Sequence, residues 1–266
     1  MAVVHATQVR AFYDEHIVYK VADFVDGNRR VDAAWNTIQQ WAPPAPRRIL
    51  EIGCGLGAMA WRMASRWPEA QVTGIDISPR SIDYASKLFV LPNLKFDSGR
   101  IDELNLGGDY DVIVLVDVYE HIAEADRAAF NASLEPLLSA TGRIVLTFPT
   151  PAYQRMLRST TPDKLQPVDE DIEMQTLQGL AGATATNLLM YREHDVWLTG
   201  DYGHAVLGRR EAGRPVEPPE PAPEPPPLER AVRKVRALFD AEDPASREAR
   251  LRLIERVLGS TAYRPR

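Results

Sequence analysis

The stretch Arg48-Ile-Leu-Glu-Ile-Gly-Cys-Gly-Leu-Gly57 is the feature around which the chain is organised. Its apolar first half has the length of a strand and carries the carboxylate of Glu51 near its end. A turn with three glycines at a two-residue spacing follows, and Ala58 to Trp67 continues with a helical pattern. Strand, glycine turn and helix in this order hold a nucleotide-like ligand in a doubly wound sheet, because glycine lets the backbone approach the ligand without a Cβ in the way.

Apolar runs of strand length recur along the chain and alternate with helical patterns. The predicted strands cover residues 48–52, 71–76, 94–96, 110–116, 143–148, 186–191 and 202–207. The first five alternate with helices, which implies a parallel sheet with right-handed crossovers. The last two flank Thr199-Gly200-Asp201 and predict an antiparallel hairpin. We therefore expect an α/β fold: a doubly wound, Rossmann-like sheet of seven mostly parallel strands with a C-terminal antiparallel hairpin.

Two helices precede the first strand, and a second pair follows the last strand. Apolar residues at helical spacing predict the first pair at 7–24 and 28–41, with Asn28 as the cap of the second helix. Eight of the 13 residues from Pro215 to Pro227 are proline, which is typical of an extended linker. The two tail helices follow, and the second is expected to start at Asp243-Pro244.

The segment between the fifth and sixth strands has weaker patterns. Residues 150–167 are read as irregular, and Asp169-Glu-Asp171 as the start of a helix that ends near Gly179–Gly182. The helix before the fifth strand is expected at 123–138. Four units are predicted: an N-terminal helical cap at 1–44, an α/β domain at 45–208, a Pro-rich linker at 209–227 and a basic helical tail at 228–266.

Composition and charge exclude several classes of protein. The chain has 266 residues, of which 45% are hydrophobic and 26% charged, as in soluble globular proteins, and no run approaches the roughly 20 apolar residues of a membrane span. The N-terminus lacks the pattern of a secretory signal. The net charge is −6, with +4 on the tail, −1 on the linker and −9 on residues 1–208, which argues against a nucleic-acid partner. Cys54 is the single cysteine, so no internal disulfide forms, which fits a cytoplasmic location.

The order of these motifs resembles that of the class I S-adenosylmethionine-dependent methyltransferases. A glycine turn follows strand one, an acid, Asp76, ends strand two, another follows strand four, and a hairpin comes last. Strand four runs into Asp117-Val-Tyr-Glu120-His121, which resembles the small-molecule branch of that family. The spacing Glu51-x-Gly-x-Gly-x-Gly57 differs from the Gly-x-Gly-x-x-Gly of dinucleotide-binding proteins. The resemblance covers about residues 45–208, and the first two helices look like that family's N-terminal cap.

The resemblance implies a donor site at the carboxyl ends of the strands. Asp76 would accept hydrogen bonds from both ribose hydroxyls, and Tyr13 would contact the donor carboxylate. The family's third segment reads Gly-Asp, where this chain has Gly99-Arg100, so backbone near Ile101, or Asp102, is expected to read adenine instead. The implied cofactor-binding residues are Tyr13, Glu51, Gly53, Cys54, Gly55, Asp76, Ile77, Arg100, Ile101, Asp117 and Val118.

The resemblance also implies an acceptor site beside the donor. A neutral histidine can remove a proton near pH 7, and His121 follows strand four where ligands bind in such sheets. We therefore expect His121 to act as a general base or to orient the substrate, with a structural histidine as the alternative. The segments that wall the acceptor pocket in this family carry Tyr153, Trp197, Tyr202 and His204.

The expected function is methyl transfer from S-adenosylmethionine to a hydroxyl of a small molecule, with an amine as the second choice and S-adenosylhomocysteine as the product. Because the donor is already activated, alignment is the main task of the protein. One alternative is an aminopropyltransferase or a cyclase on the same scaffold. Another is a donor-binding protein without turnover, whose basic tail helices dock on a partner enzyme, form a homodimer or lie on an anionic surface. The alternative for these tail helices is that they pack back on the body. A divalent cation held by Asp117, Glu120 and His121, as in some quinone-ring O-methyltransferases, is less favoured, and no metal site is assigned.

Overall fold

The structure is a computed structural model that describes residues 6–209 and 246–265. The helices are α1 (Ala6–Asp26), α2 (Arg29–Trp41), α3 (Ala58–Arg66), α4 (Pro79–Leu88), α5 (Glu124–Leu134), α6 (Pro151–Thr160), α7 (Met174–Ala183) and α8 (Arg247–Leu258). The strands are β1 (Arg48–Ile52), β2 (Gln71–Asp76), β3 (Leu94–Ser98), β4 (Tyr110–Val116), β5 (Leu138–Pro149), β6 (Asn187–His194) and β7 (Tyr202–Gly208). The proline-rich stretch and the first predicted tail helix lie outside the described residues.

Seven strands form one sheet in the order β3-β2-β1-β4-β5-β7-β6. Strands β1 to β5 pair in parallel, whereas β7 runs antiparallel to both β5 and β6. The predicted fold is therefore confirmed, including the late hairpin. The strand order reverses between β1 and β4, and the crevice at the carboxyl ends of strands beside such a reversal is where ligands bind in open α/β sheets.

Strand β4 is the centre of the core. Its residues Val112, Ile113, Val114 and Leu115 are fully buried. The two valines belong to the apolar cluster that includes α2 and α3, and the other two belong to the cluster that includes α5 and α7. Side chains alternate between the faces of a strand, so a strand covered on both faces is apolar throughout.

A third apolar cluster joins α1 to α4 and to the tail helix α8. Ile17 of α1 is buried together with Leu88 of α4 and Ile254 of α8. Nε of Arg250 in α8 donates a hydrogen bond to the carbonyl of Val25 at 3.1 Å. The tail helix therefore fastens the cap helix to the body. None of the described helices is long and apolar enough to cross a membrane.

Residues 150–160 correct the prediction of an irregular segment. They form α6, because the Oγ1 of Thr150 accepts a hydrogen bond from the backbone of Tyr153 and Pro151 occupies the first turn. The Thr-Pro pair was a helix-start signal that the sequence analysis did not use. A similar capping serine, Ser246, begins α8 at Arg247.

Two other helix boundaries differ from the predictions. Helix α5 ends at Leu134 because Pro136 cannot continue the ladder of hydrogen bonds, and a short 3-10 turn follows. Helix α7 begins only at Met174. Residues 169–171 therefore precede it without belonging to it, and Asp169 contacts His121 instead.

Candidate functional site

The glycine turn after β1 lies at the centre of the candidate site. Gly53, Gly55 and Gly57 have φ angles of 70°, 52° and 86°, a region that other residues rarely adopt. A Cβ at Gly53 would lie 2.4 Å from Cγ2 of Val118, and one at Gly57 would lie 2.6 Å from the ring of Phe96. The turn thus requires glycine for its backbone conformation and for its packing.

Asp76, at the end of β2, is fixed beneath this turn. Its Oδ2 accepts a hydrogen bond from the backbone N–H of Gly55 at 2.8 Å, and its Oδ1 accepts one from Ser78 at 2.9 Å. Burial raises the pKa of Asp76, and these two backbone hydrogen bonds oppose the increase. Each oxygen retains a lone pair, so the carboxylate can accept two further hydrogen bonds. Ile77 lies next to it and is partly buried.

Arg100 and Ile101 follow β3 and differ in exposure. The Arg100 side chain is exposed, and its Nε lies 3.0 Å from Oδ1 of Asp102. Ile101 is partly buried and packs against the main core cluster. The backbone N–H of Gly99 donates to the carbonyl of Asp76 at 2.9 Å and ties the segment to the site. Ile101 therefore faces the interior of the protein, and the side chain of Arg100 faces the solvent.

Asp117 follows β4 in a backbone conformation that is rare for a non-glycine residue, with φ of 54°. Its Oδ2 lies 2.8 Å from Nε of Arg30, whereas its Oδ1 is buried without a hydrogen bond. Arg30 also donates to the hydroxyl of Tyr202 at 3.3 Å and lies 6.0 Å over the ring of Trp197. Arg30 thus joins the cap, the end of β4 and the hairpin. Val118, the next residue, packs against the glycine turn.

A cavity of about 430 Å³ opens between the glycine turn and the cap. Such a volume is typical of small-molecule sites. Lys20 of α1 lines it and passes over Gly55, where a Cβ would lie 3.9 Å from Cγ of Lys20. Two carboxyl oxygens of lining residues, Oδ1 of Asp117 and Oε2 of Glu51, are buried without a hydrogen-bond partner. Carboxyl oxygens and an ammonium group around one cavity are complementary to an α-amino acid, so these residues fit the methionine part of a methyl donor.

Burial strongly raises the pKa of two ionisable groups beside the turn, Glu51 and Cys54. Burial raises the pKa of Glu51 to about 8, against a backbone hydrogen bond from Ala60. Burial also raises the pKa of the Cys54 thiol well above its usual value. The thiol therefore stays protonated at neutral pH, and Cys54 acts as a small buried residue of the turn.

Tyr13 lies on the opposite side of the site from the sheet. Its ring centroid is 6.5 Å from that of His121. Burial raises the pKa of Tyr13, and the carboxyl groups of Glu120, Asp76 and Asp169 raise it further. The hydroxyl therefore remains a hydrogen-bond donor at all physiological pH values.

His121 is held on one side by the loop before α7. Its Nδ1 lies 2.8 Å from the carbonyl oxygen of Val168 and 3.0 Å from Oδ1 of Asp169. Both neighbours are hydrogen-bond acceptors, so Nδ1 carries the proton and Nε2 is left as the basic nitrogen. Nε2 lies 3.7 Å from Oε1 of Glu120, beyond hydrogen-bond distance. Burial lowers the pKa of His121, but Glu120 and Asp169 outweigh this and the net pKa is raised.

Glu120 is almost completely buried, and neither of its carboxyl oxygens has a hydrogen-bond partner. Burial raises its pKa to about 7, and neighbouring His121 opposes the increase. An isolated carboxylate in such a place is costly, so the carboxyl group of Glu120 is partly protonated near neutral pH. Within residues 6–209 and 246–265, no group of three or more His, Cys, Asp or Glu side chains is arranged to hold a metal ion.

Three of the four predicted acceptor residues form one aromatic group. The ring of Tyr202 lies 6.3 Å from Tyr153 and 5.6 Å from Trp197, and Trp197 is 46% exposed at the tip of the hairpin. Asp201 holds this tip, because its carboxylate accepts hydrogen bonds from the backbone of residues 196–198. These aromatic rings form a wall beside Arg30.

His204 lies apart from that wall, between β7 and α2. Its Nδ1 is hydrogen-bonded to Oγ1 of Thr37 at 2.7 Å, and its ring stacks on that of His194 at 3.9 Å. The side chain is fully buried, and burial lowers its pKa to about 3. His204 is therefore neutral at physiological pH, and its role in acceptor binding stays a prediction.

Sequence reasoning missed three residues of this site: Lys20, Arg30 and Asp169. Each contacts its partners across a large separation in sequence, such as 87 positions between Arg30 and Asp117. One signal was available, because Asp169 lies in a cluster of acids close to the irregular segment. The functional roles of the predicted residues stay predictions.

The comparisons with known proteins agree with this fold. A family profile described as a methyltransferase domain matches residues 49–142. The malonyl-[acyl-carrier protein] O-methyltransferase of Acetivibrio thermocellus is 39% identical over 66 residues, which are 25% of this chain and 23% of that protein. The trans-aconitate 2-methyltransferase of Methylobacterium nodulans is 26% identical over 184 residues, which are 62% of this chain and 65% of that protein. The chain thus spans less than two thirds of the length of either relative.

A solved structure shows the same fold. The N-methyltransferase NodS from Bradyrhizobium japonicum, in complex with S-adenosyl-L-homocysteine, superposes with a TM-score of 0.61 at 16% identity. The match covers 76% of this chain and 99% of NodS. Residues 49–142 therefore match a methyltransferase domain, and the sheet that contains them has the fold of the class I S-adenosylmethionine-dependent methyltransferases, as the sequence predicted.

Proposed function

We propose that this protein transfers a methyl group from S-adenosylmethionine to a small molecule, at a hydroxyl or, as the second choice, at an amine. The bound donor supplies an activated methyl group, and the residues of the chain align the two reactants. The matches to enzymes of malonyl-[acyl-carrier protein] and trans-aconitate support a small acceptor. The acidic body of the chain argues against a nucleic-acid acceptor.

The arrangement of Asp76 is the observation that carries this proposal. The carboxylate stands at the end of β2 with both oxygens fixed by the backbone N–H groups of Gly55 and Ser78. A carboxylate fixed in this way accepts hydrogen bonds from two adjacent hydroxyls without a cost for orienting it. Ribose offers such a pair, and the glycine turn beside Asp76 leaves room for the rest of the donor.

Equilibrium binding of S-adenosylhomocysteine to the whole chain tests the donor site. Asp76→Asn should weaken binding by about 10- to 100-fold, because the charge is lost and one of the two backbone donors faces an amide N–H₂. Asp97→Asn is the matched control, since Asp97 is an exposed acid near the end of the neighbouring strand β3, paired with Lys95. The absence of binding by the unmodified protein, or equal binding by both variants, would contradict the proposal.

His121 is the proposed general base, and Asp169 is its positioning residue. Asp169 and the carbonyl of Val168 fix the proton on Nδ1, which leaves Nε2 to accept a proton from the acceptor. His121→Gln should lower kcat at least tenfold with little change in donor affinity. Unchanged turnover would leave His121 with a structural role only.

Product analysis separates this function from its alternatives on the same scaffold. A methyl transfer adds 14 mass units to the acceptor, whereas an aminopropyl transfer adds a larger group and a cyclisation leaves no transferred methyl on a heteroatom. Isotope-labelled donor and a cell extract provide the assay, and the labelled product then identifies the acceptor. If the unmodified protein binds the donor but transfers no label, it is a donor-binding protein.

We propose a cytoplasmic location. We also propose that the tail docks on a partner enzyme or on a second copy of the chain. The described part of the tail, α8, packs against α1 and α4 of the same chain. Size-exclusion chromatography with light scattering tests the homodimer. A monomeric mass for the full chain would contradict it.

A further inference from the structure

Lys20 stands out among the cations that line the cavity. The lining includes three arginines, and each has a partner: Arg30 pairs with Asp117, Arg62 pairs with Asp32, and Arg250 donates to the backbone of Val25. The ammonium group of Lys20 has no ion pair or side-chain hydrogen bond among residues 6–209 and 246–265. An ammonium group that lines a cavity and has no ion-pair partner among these residues is a candidate for binding an anionic ligand.

The surroundings of Lys20 define what it can bind. Burial lowers the pKa of its ammonium group, Arg30 lowers it further, and the more distant Asp117, Asp76 and Glu120 raise it. None of these carboxylates reaches it within 4.0 Å. An anionic group placed between Lys20 and the glycine turn would supply the missing partner.

Lys20 passes over Gly55 in the cavity between the cap and the glycine turn, which Glu51 and Asp117 also line and Asp76 does not. The alkyl part of the side chain lies against the glycine turn. The unpartnered Oδ1 of Asp117 and Oε2 of Glu51 line the same cavity and can accept hydrogen bonds from an ammonium group. The methionine part of S-adenosylmethionine carries one ammonium and one carboxylate on the same carbon, so it matches both halves of this arrangement.

We propose that Lys20 binds the carboxylate of the donor's methionine part, and that the cap helix α1 thereby closes on the donor. This inference rests on the proposed donor and deepens it, because it assigns a residue outside the family's strand-end motifs to the recognition of the amino acid. This assignment revises the expectation that Tyr13 contacts the donor carboxylate, because Tyr13, seven positions earlier on α1, lies near His121 and the carboxyl groups of Glu120 and Asp76.

Two ligands that differ in the amino-acid part test the assignment on the full chain. S-adenosylhomocysteine contains the carboxylate, and 5′-methylthioadenosine lacks the whole amino acid but retains the nucleoside and the sulfur. Lys20→Met keeps the length and apolar contacts of the side chain and removes the charge. We expect this variant to bind S-adenosylhomocysteine about 10- to 100-fold more weakly and 5′-methylthioadenosine unchanged. Lys20→Arg should recover part of the loss.

Lys87→Met is the matched control, because Lys87 lies on the exposed side of α4 in an ion pair with Asp83. It should bind both ligands like the unmodified protein. Equal weakening of both ligands by Lys20→Met would overturn the assignment, since Lys20 would then only hold the cap in place. An unchanged affinity for S-adenosylhomocysteine with a raised KM for the acceptor would assign the carboxylate to the acceptor instead. If the unmodified protein binds neither ligand, the proposed donor itself fails, independently of Lys20.

Discussion

The donor half and the acceptor half of the site are held together by different kinds of contact. In the donor half, most of the contacts that fix the geometry come from the backbone. Three glycines with positive φ form the turn, and two backbone N–H groups hold the carboxylate of Asp76. In the acceptor half, long side chains join elements distant in sequence. Arg30 connects the cap and the hairpin to Asp117, which borders the donor half as well, and in the acceptor half His121 connects the end of β4 to the loop at Asp169.

This difference indicates what each half can tolerate. The glycine turn leaves no room for a Cβ at Gly53 or Gly57, so the three glycines determine the backbone shape of the donor half. Side-chain pairs can be exchanged for others without changing the sheet, so the acceptor half can change its chemistry while the donor stays the same. We therefore expect substitutions in the donor half to abolish binding and those in the acceptor half to alter stability and turnover by degrees.

Gly53→Ala should have the largest effect. The new Cβ would lie 2.4 Å from Cγ2 of Val118 in a backbone region with φ of 70°. We expect a loss of about 2–4 kcal/mol of unfolding free energy and the loss of measurable S-adenosylhomocysteine binding. Calorimetric titration and chemical denaturation measure both quantities.

Gly179→Ala provides the control for this prediction. Gly179 lies inside α7, and a Cβ there would meet no atom within 4 Å. This substitution should stabilise the protein by about 1 kcal/mol, because alanine favours a helix over glycine. Adding Val118→Ala to Gly53→Ala should restore part of the stability, since the nearest clash is removed. Normal donor binding by Gly53→Ala would show that the turn is less constrained than its geometry indicates.

The Arg30–Asp117 pair should give the next largest effect. The two side chains are 19% and 6% exposed, so removing Arg30 leaves the buried carboxylate of Asp117 without its ion pair, and removing Asp117 leaves Arg30 with the longer ion pair to Asp23 at 3.8 Å. Arg30→Met and Asp117→Asn should each cost about 3 kcal/mol, and the double variant should cost less than the sum. A double-mutant cycle measured by urea denaturation gives the coupling.

An exposed pair shows how much of this coupling comes from burial. Lys87 and Asp83 lie 2.6 Å apart with more than half of each side chain exposed. The same cycle on this pair should give about 0.3–0.5 kcal/mol. Equal coupling energies for the two pairs would contradict the view that Arg30 joins the cap to the sheet.

The donor half could be predicted from sequence because its determinants are local. Each determinant is read from one strand end and the residues next to it: the glycine spacing after β1 predicted Gly53 and Gly55, and the acid at the end of β2 predicted Asp76. Lys20 could not be found in this way, because it lies on a helix whose apolar spacing says which face is buried but not what that face covers. The sequence predicted that Asp169 begins a helix, because acidic residues are favoured at helix N-termini. In the structure, Asp169 precedes the helix and its carboxylate contacts His121. Arg100 departs from the family pattern in sequence, and in the structure it pairs with Asp102 at the surface.

Asp169→Asn should have the smallest effect on stability and the most informative dependence on pH. The carboxylates of Glu120 and Asp169 raise the pKa of His121 in the folded protein, against burial, which lowers it. A raised pKa stabilises the fold fully below the unfolded value of about 6.5 and loses that contribution as the pH rises through the folded pKa. The variant should therefore be less stable than the unmodified protein by about 1 kcal/mol below pH 6, and the difference should shrink at higher pH.

Asp171→Asn is the matched control, because Asp171 lies two positions away and pairs with Arg158 rather than with His121. Proton NMR of the His121 ring should show a lower pKa in Asp169→Asn and no change in Asp171→Asn. The pH profile of kcat separates the two roles of His121. If His121 is the base, the acidic limb of the profile should move to lower pH in Asp169→Asn together with the NMR pKa. A shift in the NMR pKa with an unchanged pH profile of kcat would mean that the contact between His121 and Asp169 only holds the loop in place. Another group in the acceptor half would then have to remove the proton. Buried Glu120 is the nearest such group.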